Sequence, residues 1–243
     1  MINYNFTSFG TEHGIYLIVT LIFWLSIPFL GKRFLNKSQK NIVALSLISI
    51  SLVQEIMHYF YKMNLGLFTI AQDISLHMCG FSLFISCYAL YSKNQTAFEL
   101  AFFWGLGGAL QAILTPDPTR FHFAYISTFW SFLAHGIIIL NVLWLITAEG
   151  MRCRKYSLLN TAIVTNAAVF IVGIINKLIG NGANYWFLCE KPSGDSPFLV
   201  GEWPYYLFTF QLVGFMLMAV IYFPMWLYVK RTTANKIKNR INI

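Results

Sequence analysis

The chain has 243 residues, of which 57% are hydrophobic and only 11% are charged, and its formal net charge is +8. Soluble domains carry about a quarter charged residues, so this chain has too little polar surface to cover a water-soluble globule. The basic residues form short runs between apolar segments instead of one solvated patch, which argues against nucleic acid as a partner. The composition therefore indicates an integral membrane protein.

Apolar stretches follow one another along the chain, and each is near the roughly 20 residues that a helix needs to cross a bilayer. They cover 14–30, 42–61, 74–91, 98–114, 121–147, 158–179 and 204–229. The connections are short and hold Gly, Asn and Pro, so no soluble domain fits between them. The sequence predicts an all-α bundle of about seven transmembrane helices, forming a single domain over residues 1–243.

The distribution of basic residues predicts the orientation of this bundle. Cytoplasmic loops of membrane proteins retain Lys and Arg. Of the 17 such residues, 13 fall on one side of the predicted spans and four on the other. We therefore expect a multi-pass protein of the cell membrane, with its N-terminus outside and its C-terminus in the cytoplasm. The first stretch follows a tail without Lys or Arg and lacks a cleavage site, so we expect it to remain as a span.

Ionisable side chains are costly inside a bilayer, so those in the predicted spans should face the bundle interior. Glu55 and His58 lie three residues apart on the second span, and Asp73 and His77 lie four apart at the start of the third. Each pair would share one helical face. Either pair is equally consistent with a satisfied contact between helices.

Most polar residues of the spans fall in the outer half, which predicts a polar cavity open toward the outer leaflet. The long loop 180–203 is a candidate lid, although the sequence leaves open whether it closes. The candidate substrate-binding residues are Glu55, His58, Asp73, Gln111, Asp117, Asn184, Tyr185 and Lys191.

Cys79 is the most nucleophilic residue type in this region, and a thiolate needs a neighbouring base or cation. Residues two apart in a helix point about 200° away from each other, which argues against a direct pair with His77. His58 or His135 would then supply the imidazole from another helix. A buried cysteine is also commonly a packing residue, so the residues alone leave both roles open.

Motifs distributed over nearly the whole chain resemble the YwaF-like family of bacterial multi-pass integral membrane proteins. The matching motifs are Ile74-Ser75-Leu76-His77-Met78-Cys79, Phe98-Glu99-Leu100 with Trp104-Gly105, Gln111 with Thr115-Pro116-Asp117, His135-Gly136, Asn184-Tyr185 with Lys191-Pro192, and Trp203-Pro204-Tyr205. That family is similar to eukaryotic transmembrane cysteine-dependent phospholipid acyltransferases. The resemblance implies that Cys79 carries the acyl group, with His135 or His77 as base. Met78 and Gly80 flank the cysteine where the family more often has Leu and Ser.

The leading hypothesis is a lipid acyltransferase that works through a Cys79 thioester, with a membrane phospholipid as substrate. It requires no soluble cofactor, and we expect no metal, since Glu55, His58, Asp73 and His77 would form a metal site only by chance of helix packing. The rival hypothesis is a transporter or small-ligand binder that uses these same residues. A lipid hydrolase is a close variant of the first hypothesis. The lipid and the oligomeric state stay open.

Overall fold

The computed structural model describes residues 6–116, 124–191 and 200–241. The described residues are helical and contain no β-strand. The helices are α1 (Thr11–Phe34), α2 (Lys37–Asn64), α3 (Met78–Ser92), α4 (Gln95–Leu114), α5 (Ala124–Thr147), α6 (Ser157–Ile179) and α7 (Tyr206–Ile241). The prediction of an all-α protein is confirmed.

Six of these helices are long and apolar enough to cross a membrane: α1, α2, α4, α5, α6 and α7. The exception is α3, which has 15 residues and is only about 22 Å long at 1.5 Å per residue. The stretch that the sequence predicts as a span over 74–91 therefore becomes helical only at Met78. The predicted orientation of the termini stays a prediction.

Contacts divide the chain into two compact units, residues 1–151 and 152–243. In the first unit, α5 lies at the centre and packs against α1, α2, α3 and α4. The indole Nε1 of Trp24 on α1 donates to the carbonyl of Gly136 on α5 at 2.9 Å. The single domain predicted over 1–243 stays a prediction.

Close packing of α4 on α5 depends on glycine. A Cβ at Gly105 would lie 3.0 Å from Ile138 and 3.3 Å from Val142. Small residues allow such close approach of helices in membranes. Gly105 thus has a packing role in the contact between α4 and α5.

The centre of α4, Ala101–Ala109, is wound as a π-helix. This form is rare in proteins and occurs often at functional sites. Most of its side chains are buried. The segment carries Gly108, whose added Cβ would lie 4.0 Å from the Sγ of Cys79.

Charged side chains make hydrogen bonds and an ion pair at the end of the first unit where α2 begins and α5 ends. Lys93 pairs with Glu149 at 2.8 Å, and the indole of Trp144 also donates to Glu149 at 3.3 Å. Lys40 donates to the carbonyl of Ala148 at 3.0 Å. These contacts fix the predicted cytoplasmic end of the unit without supplying groups for chemistry.

The second unit consists of α6, α7 and the loop between them. Asn176 near the end of α6 makes two buried hydrogen bonds of 2.9 Å to the backbone of Tyr185, one to its carbonyl and one from its N–H. The hydroxyl of Tyr206 at the start of α7 donates to the carbonyl of Phe187 at 2.6 Å. Side chains of both helices thus hold the intervening loop.

Candidate functional site

The last turns of α2 carry a row of polar side chains on one helical face. Glu55, His58, Tyr59 and Lys62 are spaced by three or four residues, which places them next to one another on an α-helix. Each is partly buried. The predicted sharing of one face by Glu55 and His58 is consistent with the helix in which both lie.

Asp73 lies in the non-helical connection between α2 and α3. Its carboxylate pairs with Lys62 and accepts a hydrogen bond from the N–H of Thr69 at 2.8 Å. The expected helical pairing of Asp73 with His77 is wrong, because α3 begins only at Met78. Asp73 instead fastens the connection to the end of α2.

Ser75 joins this connection to α2 through side chains. Its hydroxyl donates to the Oε1 of Glu55 and bonds to the hydroxyl of Tyr59. Since the serine proton is used on the carboxylate, Tyr59 is the donor to Ser75. The network connects Glu55 and Tyr59 of α2 with the segment that leads to Cys79.

Gly80 allows this segment to fold back on the start of α3. An added Cβ would lie 2.5 Å from the carbonyl oxygen of Ser75 and 2.7 Å from its Cβ. A side chain at residue 80 would therefore displace Ser75 and the network around Glu55.

Cys79 is the second residue of α3 and is partly buried. The partial positive charge at a helix N-terminus favours anions, thiolates included. Gly108 of the π-helical segment faces the sulfur, so no side chain from that position covers it. The thiol lies at a polar end of the first unit and not in its apolar core.

His77 is the N-cap of α3, with an extended backbone at φ −66° and ψ 156°. The geometric objection to a pair of His77 with Cys79 assumed that both residues lie in one helix. Because His77 precedes the helix, that objection does not apply. The role of His77 as a base stays a prediction.

His135 on α5 has a defined tautomer. Its Nδ1 lies 2.7 Å from the carbonyl oxygen of Ser131. A carbonyl can only accept, so Nδ1 carries the proton and Nε2 is the nitrogen that can take one up. A general base needs this form of imidazole.

His58 links α2 with α5. Its ring is stacked on Trp130, with centroids 6.4 Å apart and planes inclined by 21°. It lies within electrostatic range of Glu55, Lys62, Asp73 and His135. His58 therefore interacts electrostatically with three other predicted site residues: Glu55, Asp73 and His135.

The other two predicted binding residues of the first unit are Gln111 and Asp117. Gln111 has an exposed side chain, and its carbonyl accepts from the N–H of Thr115 at 2.8 Å. Asp117 lies outside the described residues. The role of each in substrate binding stays a prediction.

The predicted lid residues belong to the second unit, where they organise the loop. The side chain of Asn184 donates to the carbonyl of Glu190 at 2.8 Å and accepts from the N–H of Cys189 at 2.9 Å. Tyr185 is fully buried. Lys191 pairs with the exposed Glu202 at 3.5 Å.

Sequence reasoning missed Tyr59 and Lys62 as partners of the polar row. Their spacing of four and seven residues from Glu55 is the signal that would have identified them.

Sequence reasoning also missed His13, which is fully buried. His13 accepts from the N–H of Phe9 at Nδ1 and contacts the carbonyl of Ile113 through Nε2, both at 2.8 Å. Both ring nitrogens are therefore used for structure.

Among the described residues, His, Cys, Asp and Glu form no group of three or more that could hold a metal ion. The region around Cys79 instead has a thiol at a helix start, the imidazole of His77 two residues before it, and a carboxylate network that reaches Ser75. Such groups can perform nucleophilic acyl chemistry without a metal.

Comparisons with known proteins give one match. Neither the curated proteins nor the solved structures contain a match to the chain. The model of the TMEM164 family, a family of transmembrane proteins, matches residues 8–222. This range contains every described residue of the candidate site, and the chain therefore belongs to the TMEM164 family.

Proposed function

We propose that this multi-pass membrane protein is a lipid acyltransferase in which Cys79 carries the acyl group as a thioester. The observation that supports it best is the position of Cys79 at the N-terminus of α3. There the thiol is partly buried, and Ser75 in the preceding segment is tied to Glu55. A nucleophilic thiol needs access together with stabilisation of its anion.

The proposed reaction has two steps. A base, His135 through Nε2 or His77, takes the proton of Cys79, and the thiolate attacks an ester carbonyl of a phospholipid. The sulfur–carbon bond forms, the carbon–oxygen bond breaks, and the lysolipid alkoxide leaves with the proton from the imidazole. A hydroxyl of an acceptor lipid then attacks the thioester and regenerates the thiol.

The polar network supplies the positioning that this chemistry requires. Glu55 and Tyr59 hold Ser75, and Ser75 packs against Gly80 beside the nucleophile. Held in this way, the segment would keep the thiol in one place relative to the imidazoles. Both lipids would enter sideways from the bilayer, so the proposal needs no soluble cofactor.

The test is acyl transfer by the purified protein in liposomes that contain a phospholipid with a labelled acyl chain. We expect Cys79→Ser to abolish transfer and to remove a hydroxylamine-sensitive acyl adduct. Cys87→Ser is the matched control, because Cys87 is a buried cysteine of the same helix, and it should keep both. Unchanged turnover in Cys79→Ser would overturn the assignment of the nucleophile.

The same assay separates the alternatives. Release of the labelled acyl chain to water, with the adduct present, identifies a hydrolase. Substrate uptake into the liposomes without an adduct identifies a transporter. The transporter is favoured by one observation, the close grouping of Glu55, His58, Asp73 and His135, since intramembrane ionisable groups also suit ion coupling.

We also propose that the protein lies in the cell membrane with the loop before α7 outside. Cys189 in this loop is exposed, whereas Cys87 and Cys153 are buried. In a Cys79→Ser background, which lacks the proposed reactive thiol, a membrane-impermeant maleimide added to intact cells should therefore label the protein. The additional change Cys189→Ser should abolish this labelling. Labelling that requires permeabilised cells would reverse the orientation.

A further inference from the structure

A second polar cluster lies inside the first unit, between α2, α3 and α5. The Nδ2 of the fully buried Asn141 donates to Ser51 on α2 at 3.1 Å and to Ser86 on α3 at 3.0 Å. Both serine hydroxyls donate their own protons to backbone carbonyls, Ser51 to Leu47 and Ser86 to Leu83, each at 2.8 Å.

These bonds fix the orientation of the Asn141 amide. Because their protons are used on carbonyls, the two serine oxygens present only lone pairs to Asn141. The group that faces them must be the NH₂ and not the oxygen of the amide. The Oδ1 atom of Asn141 therefore points away from both serines, and it is buried without a hydrogen-bond partner.

Gln54 supplies a second buried oxygen without a hydrogen-bond partner. It lies three residues after Ser51 on α2, which places both on one face of the helix. It is only 3% exposed. Its Nε2 donates to Glu55 at 3.4 Å, while its Oε1 is buried and has no partner.

We propose that a water molecule binds between α2 and α5 and donates one hydrogen bond to Oδ1 of Asn141 and one to Oε1 of Gln54. Both oxygens only accept, and water has two protons to donate. Buried waters typically satisfy groups of this kind. A cation would lack a compensating charge in the Asn141, Ser51 and Ser86 cluster, which makes it a poor occupant inside a membrane protein.

This water would extend the polar network of the candidate site into the core. Through Gln54, it would connect Asn141 of α5 with Glu55 at the end of α2. A buried, ordered water molecule would then stabilise the position of the end of α2. The inference does not depend on the proposed acyltransferase activity.

The direct test is an experimental structure of the wild-type protein at a resolution that shows ordered water. We expect a density peak within hydrogen-bond distance of both oxygens. An empty space between them would overturn the proposal. So would a peak that appears only in NaCl and is lost in choline chloride, because that peak would be a bound cation.

Thermal unfolding gives an independent test, because Gln54→Met should change the Tm in opposite directions for a hydrated and a dry site. If water bridges the two oxygens, Gln54→Met removes a bonded acceptor and should lower the Tm by about 2–4 °C. If the site is dry, the same change removes an unsatisfied group and should raise the Tm. A raised Tm would overturn the proposal.

Gln54→Met also removes the contact with Glu55, so the change needs a control. We expect the decrease in Tm to persist in a Glu55→Met background, where that contact is already absent. A decrease that disappears there would overturn the proposal. In a double-mutant cycle with Asn141→Leu, the two effects should be non-additive, since the water couples the two residues; additive effects would contradict the bridge.

Discussion

The two compact units use polar side chains in opposite ways. In the first unit, Glu55, Ser75 and Tyr59 bond to one another through their side chains. In the second, Asn176 and Asn184 bond to the backbone of the loop. Side chains that bond to a backbone fix its conformation, whereas a network of side chains can also hold reactive groups. Substitutions in the network of Glu55, Ser75 and Tyr59 should therefore cost activity, and substitutions of the asparagines that hold the loop should cost stability.

The largest expected effect concerns the base in the first unit. His135→Ala should slow acyl transfer by about 10²–10⁴-fold, the usual contribution of general acid–base catalysis. The Tm of the variant, measured alongside, shows whether stability is lost as well, since the ring also bonds to the carbonyl of Ser131 on its own helix. His77→Ala, assayed in parallel, assigns the base to whichever variant loses more. Full activity in both would remove histidine from the mechanism.

The second unit should respond to Asn176→Leu with a loss of stability. The change removes two hydrogen bonds to the buried backbone of Tyr185, which should lower the free energy of unfolding by about 2–4 kcal/mol. Asn166→Leu on the same helix is the control, since Asn166 is exposed. Equal losses in chemical denaturation of the two variants would contradict the special role of Asn176.

Gly80→Ala tests the connection between packing and activity in the first unit. The added methyl would collide with Ser75, so we expect a loss of about 1–3 kcal/mol in unfolding free energy together with slower acyl transfer. Gly14→Ala is the control, because nothing lies within 4 Å of a Cβ at that position. A Gly80→Ala protein with normal turnover would show that the position of Ser75 does not matter.

The smallest effect is expected for an ion pair of the second unit. Lys191 pairs with Glu202, whose side chain is 93% exposed. Exposed pairs contribute little, so Lys191→Met should change the unfolding free energy by less than about 0.5 kcal/mol. A larger loss in thermal or chemical denaturation would mean that the loop depends on this contact as well as on its asparagines.

The sequence was sufficient to predict the helices and the approximate extent of most of them. Their hydrophobic stretches are long, and a bilayer demands helices of that length. The start of α3 is the exception. Residues 74–77 were predicted as part of a span, but they belong to the connection between α2 and α3. The contacts of Ser75 with Glu55 and Gly80 hold them there, and such tertiary contacts cannot be read from hydropathy.

The candidate site was predictable in its residue types but not in its geometry. Glu55 and His58 were predicted from their spacing on one helix. The proximity of His135 to His58 depends on how α5 packs against α2, which the sequence does not specify. The tautomer of His135 depends on a single carbonyl, that of Ser131. The π-helical winding of α4 also has no local sequence signal that we can identify.

That winding has a consequence for the alignment of α4 with α3. A π-helix places hydrogen bonds between residues five apart, so each turn contains more residues than an α-helical turn. The stretch Ala101–Ala109 thus rotates one end of α4 relative to the other. Deleting one residue between Ala101 and Gly107 would turn Gly108 away from the Cys79 sulfur, although Gly108 itself would be retained. The angular register of α4 is therefore as much a determinant of the thiol's surroundings as the glycine itself.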